Sequence, residues 1–388
     1  MKKLEVLLIT AFASVSILAG CGAKEEEPAP QVVEEPKEEP AEEKEEEPEE
    51  VEEEEKEVLP AGKARSALTG EIIDEEIADS RPIAIMLPSD KAAQPQYGIG
   101  EAGVLYECME EGDMSRQMAV IENWKDIETL GNVRSCRDYY VYWALEWDPI
   151  LVHFGGPYYL ADVVNREDVD NITGCAVNST SNDPGAAAFY RTTDKEAPHN
   201  AYTSGSKLTE QCEKLEYSLT HTNEEYHPEH FLYATKEENT LEGQAGVMDA
   251  KEIDLTGGFP YTKSSLTYNE EKGIYEKSLY GSPQKDGTTG EQLSFENVVI
   301  QFAHYEVRDA KGYLAFNCHD NTHDGYYITN GKAVHVKWAK TSDYSPTRFY
   351  YDDLSQVEFN VGKTYIAIVE DDKSFTIDGE TYKSDTQE

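Results

Sequence analysis

The chain has 388 residues, with 34 Lys and Arg against 77 Asp and Glu, a formal net charge of −43. That sign excludes a general nucleic-acid face, because phosphate is repelled, and it opposes peripheral attraction to anionic lipid. The imbalance is partly local, since residues 24–57 carry −15 and the body from 58 onward carries −29.

Lys2 and Lys3 precede an apolar stretch, Leu4 to Leu18, that ends in Leu18-Ala19-Gly20-Cys21. A charged start, an apolar core and small residues before a cut form the secretory pattern. Cys after Leu-Ala-Gly makes it a bacterial lipobox, with residues 1–21 as signal peptide and Cys21 as the lipidated residue. The apolar run is too short to span a bilayer comfortably. Acyl chains are therefore expected to hold the protein on the extracytoplasmic face of the cell membrane. Residues 22–60 are rich in Glu and Pro and bury too little to fold. Extended at ~3.1 Å per residue, about 35 residues reach roughly 110 Å, a tether or a solubilising tail.

From Arg81 the texture becomes compact. Ile83–Leu87, Gly103–Met109 and Arg116–Glu122 read as strands, with a Glu110–Asp113 turn between the last two. Ser135 and Asp138 resemble a capping box opening a helix over Cys136–Trp147. Tyr140, Trp143, Ala144 and Trp147 give that helix one buried face. Ile150–Phe154 is a further strand, Tyr158–Asn165 a helix, 176–188 an irregular loop and Ser204–Ser218 a helix. Residues 221–257 read as a polar connection. Beyond them, Val298–Phe302, Tyr313–Asn317, Tyr326–Ile328, Ala333–Trp338, Val357–Asn360, Tyr365–Val369 and Ser374–Ile377 alternate between turns such as Asn330-Gly331, an antiparallel β texture. The class is α+β: an N-terminal α/β portion with a mixed sheet over 61–220 and an antiparallel β-rich portion over 258–388, packed as two domains or as one layered unit.

With Cys21 lipidated, Cys108, Cys136, Cys175, Cys212 and Cys318 remain, without a CxxC pair, so neither a zinc ribbon nor a thioredoxin-type site is supported. Disulfides and free buried thiols are both open. His221, His227 and His230, and Cys318-His319-Asp320 with His323, have metal-like composition, but the second group reads as a hairpin tip. Neither a metal nor a cofactor is expected. Ser-x-x-Lys at Ser204–Lys207 and Ser282–Lys285 lacks its companion motifs, and no catalytic residue is assigned.

Arginine gives the sharpest clue, with nine in the chain. Arg134-Ser135-Cys136-Arg137-Asp138 puts two guanidiniums at a helix start, where backbone N–H groups already favour an anion. Arg116 can join them, although neutralising Glu107 or Glu110 is the bland alternative. His153 falls before Gly155-Gly156 at a strand end, where a crevice can form. His199 beside Asn200 sits in a loop, and either histidine is a candidate acid or base.

Arg81-Pro82-Ile83-Ala84-Ile85-Met86, Gln94-Pro95-Gln96-Tyr97-Gly98, Val104-Leu105-Tyr106-Glu107, Glu111-Gly112, Ser115-Arg116, Val133-Arg134-Ser135-Cys136-Arg137-Asp138-Tyr139-Tyr140, His153-Phe154-Gly155-Gly156, Phe189-Tyr190-Arg191, Ala197-Pro198-His199-Asn200-Ala201-Tyr202-Thr203 and Ser345-Pro346-Thr347-Arg348-Phe349 together resemble the YerB-like lipoproteins. Coverage is roughly 80–375. The resemblance implies an α/β portion followed by a β-rich one, and no established activity. Six of the nine arginines (Arg81, Arg116, Arg134, Arg137, Arg191, Arg348) lie inside these motifs. Cys108 and Cys136 depart from the small residues expected there, and a disulfide between them is one outcome if they lie close. The expected ligand-binding set is Arg116, Arg134, Arg137, Asp138, His153, Arg191, His199 and Asn200. Its expected partner is a cell-wall glycan, teichoic acid or wall-synthesis protein. The alternatives are an envelope hydrolase with His199 or His153 as general base, and a transporter's solute receptor hinged at 221–255.

Overall fold

The computed structural model describes residues 59–177 and 185–385. The expected signal peptide, the expected Cys21 lipobox and nearly all of the expected tether lie outside the described residues, as does 178–184 of the expected irregular loop.

Among the described residues, eleven strands form the principal sheet. The first half of the chain supplies β1 (Ile83–Pro88), β2 (Val104–Met109), β3 (Ser115–Ile121), β4 (Ile150–His153) and β5 (Asn171–Thr173). The second half supplies β6 (Met248–Asp249), β7 (Asn297–Ala303), β8 (Asp320–Thr329), β9 (Lys332–Lys340), β10 (Arg348–Tyr350) and β11 (Thr364–Glu370). Their order is β6-β9-β8-β7-β11-β2-β3-β1-β4-β5, with β10 also on β9. Every residue of β1, β2, β3, β7 and β11 is buried, which is why these strands read as nearly continuous apolar runs rather than alternating ones.

β11 joins the two halves. Ala367 pairs with Ile300 of β7 on one side and with Glu107 of β2 on the other, and both pairings are parallel. The purely antiparallel expectation for the last third is corrected at this strand. Its neighbours are distant in sequence, so a hairpin does not impose the antiparallel sense. β8 and β9 do form a hairpin, turned at Asn330-Gly331 with φ of 50° and 71°, the positive values a two-residue turn of this kind needs. His323 consequently lies within β8, not at a hairpin tip.

A second sheet of seven strands is antiparallel and includes Ser265–Asn269, Ile274–Leu279 and Ser374–Ile377. Along Ile274–Leu279 buried and half-buried residues alternate, as one covered face requires. The class is α+β, strand-rich, with mixed and antiparallel sheets.

Helix α1 spans Asp138–Leu145, later than the expected start. Arg137 is its N-cap residue without a side-chain cap, and the Ser135 hydroxyl donates instead to the Phe154 carbonyl at 3.1 Å. The backbone explains the shift. Arg134 N–H donates to Met86 O, Phe154 N–H to Arg134 O and Cys136 N–H to Gly155 O, so residues 134–136 are held extended against the ends of β1 and β4. Helix α2 spans Gly205–Leu215. Ser204 caps it by accepting from Lys207 N–H at 3.3 Å, and Glu216 closes it with φ 58°.

The connection is part of the body. His230, Phe231 and Leu241 are buried, and Leu232–Tyr233 pairs with Glu358–Phe359. Two fully buried carboxylates further tie the halves together. Glu107 meets Lys277 Nζ at 2.8 Å and accepts from Ser115, Gln117, Ser264 and Tyr365. Glu146 lies 3.4 Å from Lys340 and 3.3 Å from His230, and accepts from Tyr106 and from both the backbone and hydroxyl of Thr347. The described residues, 59–177 and 185–385, belong to one compact unit. A receptor hinged at 221–255 is incompatible with a shared sheet and these cross-connections.

Candidate functional site

Three loops converge beyond the carboxyl ends of β1 and β4. The loop after β1 carries Asp90, the extended 132–137 segment carries Asn132 and Arg134, and the loop before the strand Ala201–Thr203 carries His199. Asn132 fastens them, its amide donating to Ala93 O at 3.0 Å and to His199 O at 2.7 Å. Lys195 adds bonds of 2.8 Å to the Ala93 and Pro95 carbonyls.

At this junction Arg134 Nη1 lies 3.3 Å from His199 Nδ1. A guanidinium only donates, so His199 Nδ1 must accept and its ring proton sits on Nε2. Burial holds the His199 pKa below its ordinary value; the nearby Asp90 charge opposes that fall and Arg134 adds to it. Asp90 Oδ2 stands 4.0 Å from His199 Nδ1 and has no hydrogen bond of its own. Arg134, half-buried, has no ion-pair partner among the described residues, and burial together with Arg116 lowers its pKa.

The neighbouring arginines are different. Arg116 is 1% exposed, ion-paired to Glu110 and bonded to Ser135 O at 2.7 Å. Arg137 meets Glu110 at 2.8 Å and grips Glu111 through Nε and Nη2. Their expected part in a clamp is corrected: the buried Glu110 and the half-buried Glu111 already hold them in ion pairs, and breaking a buried pair is costly. Asp138 is likewise committed to Arg308 at 2.6 Å. His153 is fully buried, with Nδ1 donating to Gly155 O at 2.8 Å and Nε2 3.3 Å from Asn171 Oδ1, so it faces no crevice. Arg191 is exposed, stacks over Phe154 at 4.8 Å and donates to Asn200 Oδ1. Asn200 in turn donates to Thr192 O, bracing the hairpin rather than opening to a ligand. Arg134 and His199 are therefore the predicted residues that the structure brings together with polar capacity to spare.

The other expected chemistry is dispersed. Cys108 and Cys136 are both buried free thiols, so the disulfide between them does not form. His221 stacks on Tyr226 at 3.8 Å, whereas His230 stacks on Trp147 at 3.6 Å. His319 meets Asp343 at 3.0 Å and His323 meets Asp320 at 3.4 Å. Among the described residues no group of three His, Cys, Asp or Glu side chains is arranged to hold a metal.

Asp90 and Asn132 were missed by the sequence reading, since neither is distinguishable from an ordinary turn residue before the loops meet. Glu370, at the end of β11, was missed for the same reason. It is 4% exposed, and its Oε2 has no hydrogen-bond partner. Burial, reinforced by Asp372, Asp113 and Asp371 and opposed by Lys373, pushes its pKa up to about 7. A raised carboxyl favours folding fully only below its unfolded pKa near 4.3, and that contribution is lost as pH rises through 7. Glu370→Gln is expected to stabilise the protein by about 2 kcal/mol at pH 8 and by much less at pH 5. Urea midpoints at the two pH values check this, and equal effects at both would refute it.

The family described as "Protein of unknown function (DUF3048)" matches the chain twice, its N-terminal domain over residues 68–218 and its C-terminal domain over residues 255–366. The chain belongs to this family. A relative from Bacillus subtilis (strain 168), named "Putative lipoprotein YerB", is 25% identical over 313 residues, 80% of this chain and 88% of the relative. The crystal structure of YerB protein from Bacillus subtilis aligns with a TM-score of 0.66 at 23% identity, covering 79% of this chain and 96% of that one. At that identity the likeness establishes a shared fold. In this family member the two matched regions share one sheet, because Thr364–Ile366 pairs with Val104–Tyr106. No helix among the described residues is long and apolar enough to cross a membrane.

Proposed function

We propose that this family member is a lipid-anchored extracytoplasmic protein that binds an anionic cell-wall component, with Arg134 as the anion-binding residue. The observation that carries the reading is Arg134 itself, a half-buried guanidinium without a carboxylate partner in a strongly acidic body. Fork-shaped donors of this kind favour phosphate and carboxylate. His199 supports the site by fixing one guanidinium nitrogen, and its Nε2–H offers a second donor. The lipobox at Leu18-Ala19-Gly20-Cys21 and the lipoprotein name of the relative support the anchor. General-base hydrolysis is disfavoured. The His199 Nδ1 lone pair is occupied by Arg134, Nε2 carries the proton, and His153 is inaccessible.

Calorimetry with polyglycerol-phosphate fragments tests the reading. Arg134→Ala is expected to weaken binding about 10- to 100-fold, the worth of a charge-assisted hydrogen bond. Arg134→Lys is expected to restore only part of it. Unchanged affinity in Arg134→Ala would rule out this site.

A further inference from the structure

The loop that carries Asp90 also borders an open cavity of about 360 Å³, within the range of small-ligand sites, roughly 300–1,000 Å³. Lys91, Gln94 and Pro95 of this loop line it, together with Tyr280, Pro283 and Lys285 from the second sheet. The Tyr280 hydroxyl donates to Ser89 O at 3.1 Å, which fixes the ring. Tyr261 packs edge-on to it at 5.9 Å and remains 55% exposed. Lys91 Nζ stands 5.9 Å from the Tyr280 ring centre.

The chemistry of this lining is unusual for the molecule. The body from residue 58 carries −29, yet the cavity lining contains two lysines and no carboxylate. An aromatic ring with a fixed orientation and two proline rings present flat apolar surfaces, the kind that packs against the C–H face of a pyranose while its polar tips remain solvated. The Gln94 amide can pair with sugar hydroxyls, and the two ammonium groups complement carboxylate or phosphate substituents. Asp90 of this loop lies 4.0 Å from His199, which in turn meets Arg134 at 3.3 Å.

We infer that this cavity seats a sugar ring of an anionic saccharide, with an acidic substituent on Lys91 or Lys285 and a further anionic group of the same molecule on Arg134. The inference rests on the anion-binding reading of Arg134 and names its ligand class. Affinities of the full-length chain in detergent test it with three probes: inorganic phosphate, tetra-N-acetylglucosamine, and a tetrasaccharide of alternating N-acetylglucosamine and N-acetylmuramic acid that carries carboxylates. The carboxylate-bearing tetrasaccharide is expected to bind about tenfold more tightly than the neutral one. Tyr280→Ala is expected to weaken both saccharides about tenfold and leave phosphate unaffected. Tyr280→Phe keeps the ring without the bond to Ser89 and is expected to retain saccharide binding, which separates stacking from damage to the fold. Failure of the wild-type chain to bind either saccharide, or wild-type affinity in Tyr280→Ala, overturns the cavity assignment. Phosphate binding that survives Arg134→Ala overturns the anion reading instead, so the two fail separately.

Discussion

Lys277→Met is expected to destabilise the protein by about 3 kcal/mol, because it leaves the Glu107 carboxylate buried without its counter-charge. Burial alone pushes the Glu107 pKa up, but the Lys277 charge at 2.8 Å and the hydroxyls of Ser115 and Ser264 hold it below the ordinary range. Both side chains are fully buried, so solvent cannot replace the lost partner. Ser115, Gln117, Ser264 and Tyr365 still donate in the variant, which keeps the loss at the lower end for a broken buried pair. Adding Glu107→Gln removes the stranded charge, and the double variant is expected to recover most of the stability. Urea unfolding reads both, as a shift in midpoint at constant m-value. A single variant within 1 kcal/mol of wild type, or a double variant as unstable as the single, would show that the pair is not coupled as described.

Acid is expected to weaken the fold through Glu146. Burial raises its pKa, yet Lys340, His230 and Tyr106 together pull it down to about 2. The folded value lies below the unfolded one near 4.3, so the stabilisation is complete above that pH and is lost as pH falls through 2. The shift corresponds to about 3 kcal/mol. His230 acts in the same direction. Burial depresses its pKa, so the unfolded chain takes up its proton first once pH falls below about 6.5. Glu146→Gln should be less stable at pH 7 but should show a flatter decline between pH 4.5 and 3. Parallel pH profiles for variant and wild type would mean that Glu146 is not the titrating group.

Local signals were strong where packing was nearly independent of context. The apolar runs Ile83–Leu87 and Val298–Phe302 fall within β1 and β7, and Asn330-Gly331 makes its turn because few residues other than Asn and Gly accept positive φ there. Ser204 caps α2 through its own hydroxyl, a bond that spans three residues. Ser135 failed as a cap because the ends of β1 and β4 had already claimed the backbone of 134–136, and no window of sequence around Ser135 contains those strands. The site was legible to a similar degree. Arg134 and His199 stood out by residue type and by their motifs, but so did Arg116, Arg137 and His153, which Glu110, Glu111 and Asn171 engage in the folded state.

The sequence by itself determined the acidic body, the α+β class and the membership that its motifs implied, because composition and short-range patterns carry each of these. Tertiary structure alone decided that β11 would lie parallel between β2 and β7, that Glu107 and Glu146 would find cations far along the chain, and that Arg116 and Arg137 would take the nearby carboxylates while Arg134 met His199. Those outcomes depend on groups tens to hundreds of residues apart reaching hydrogen-bond distance, where burial removes competing water and makes the choice of partner decisive.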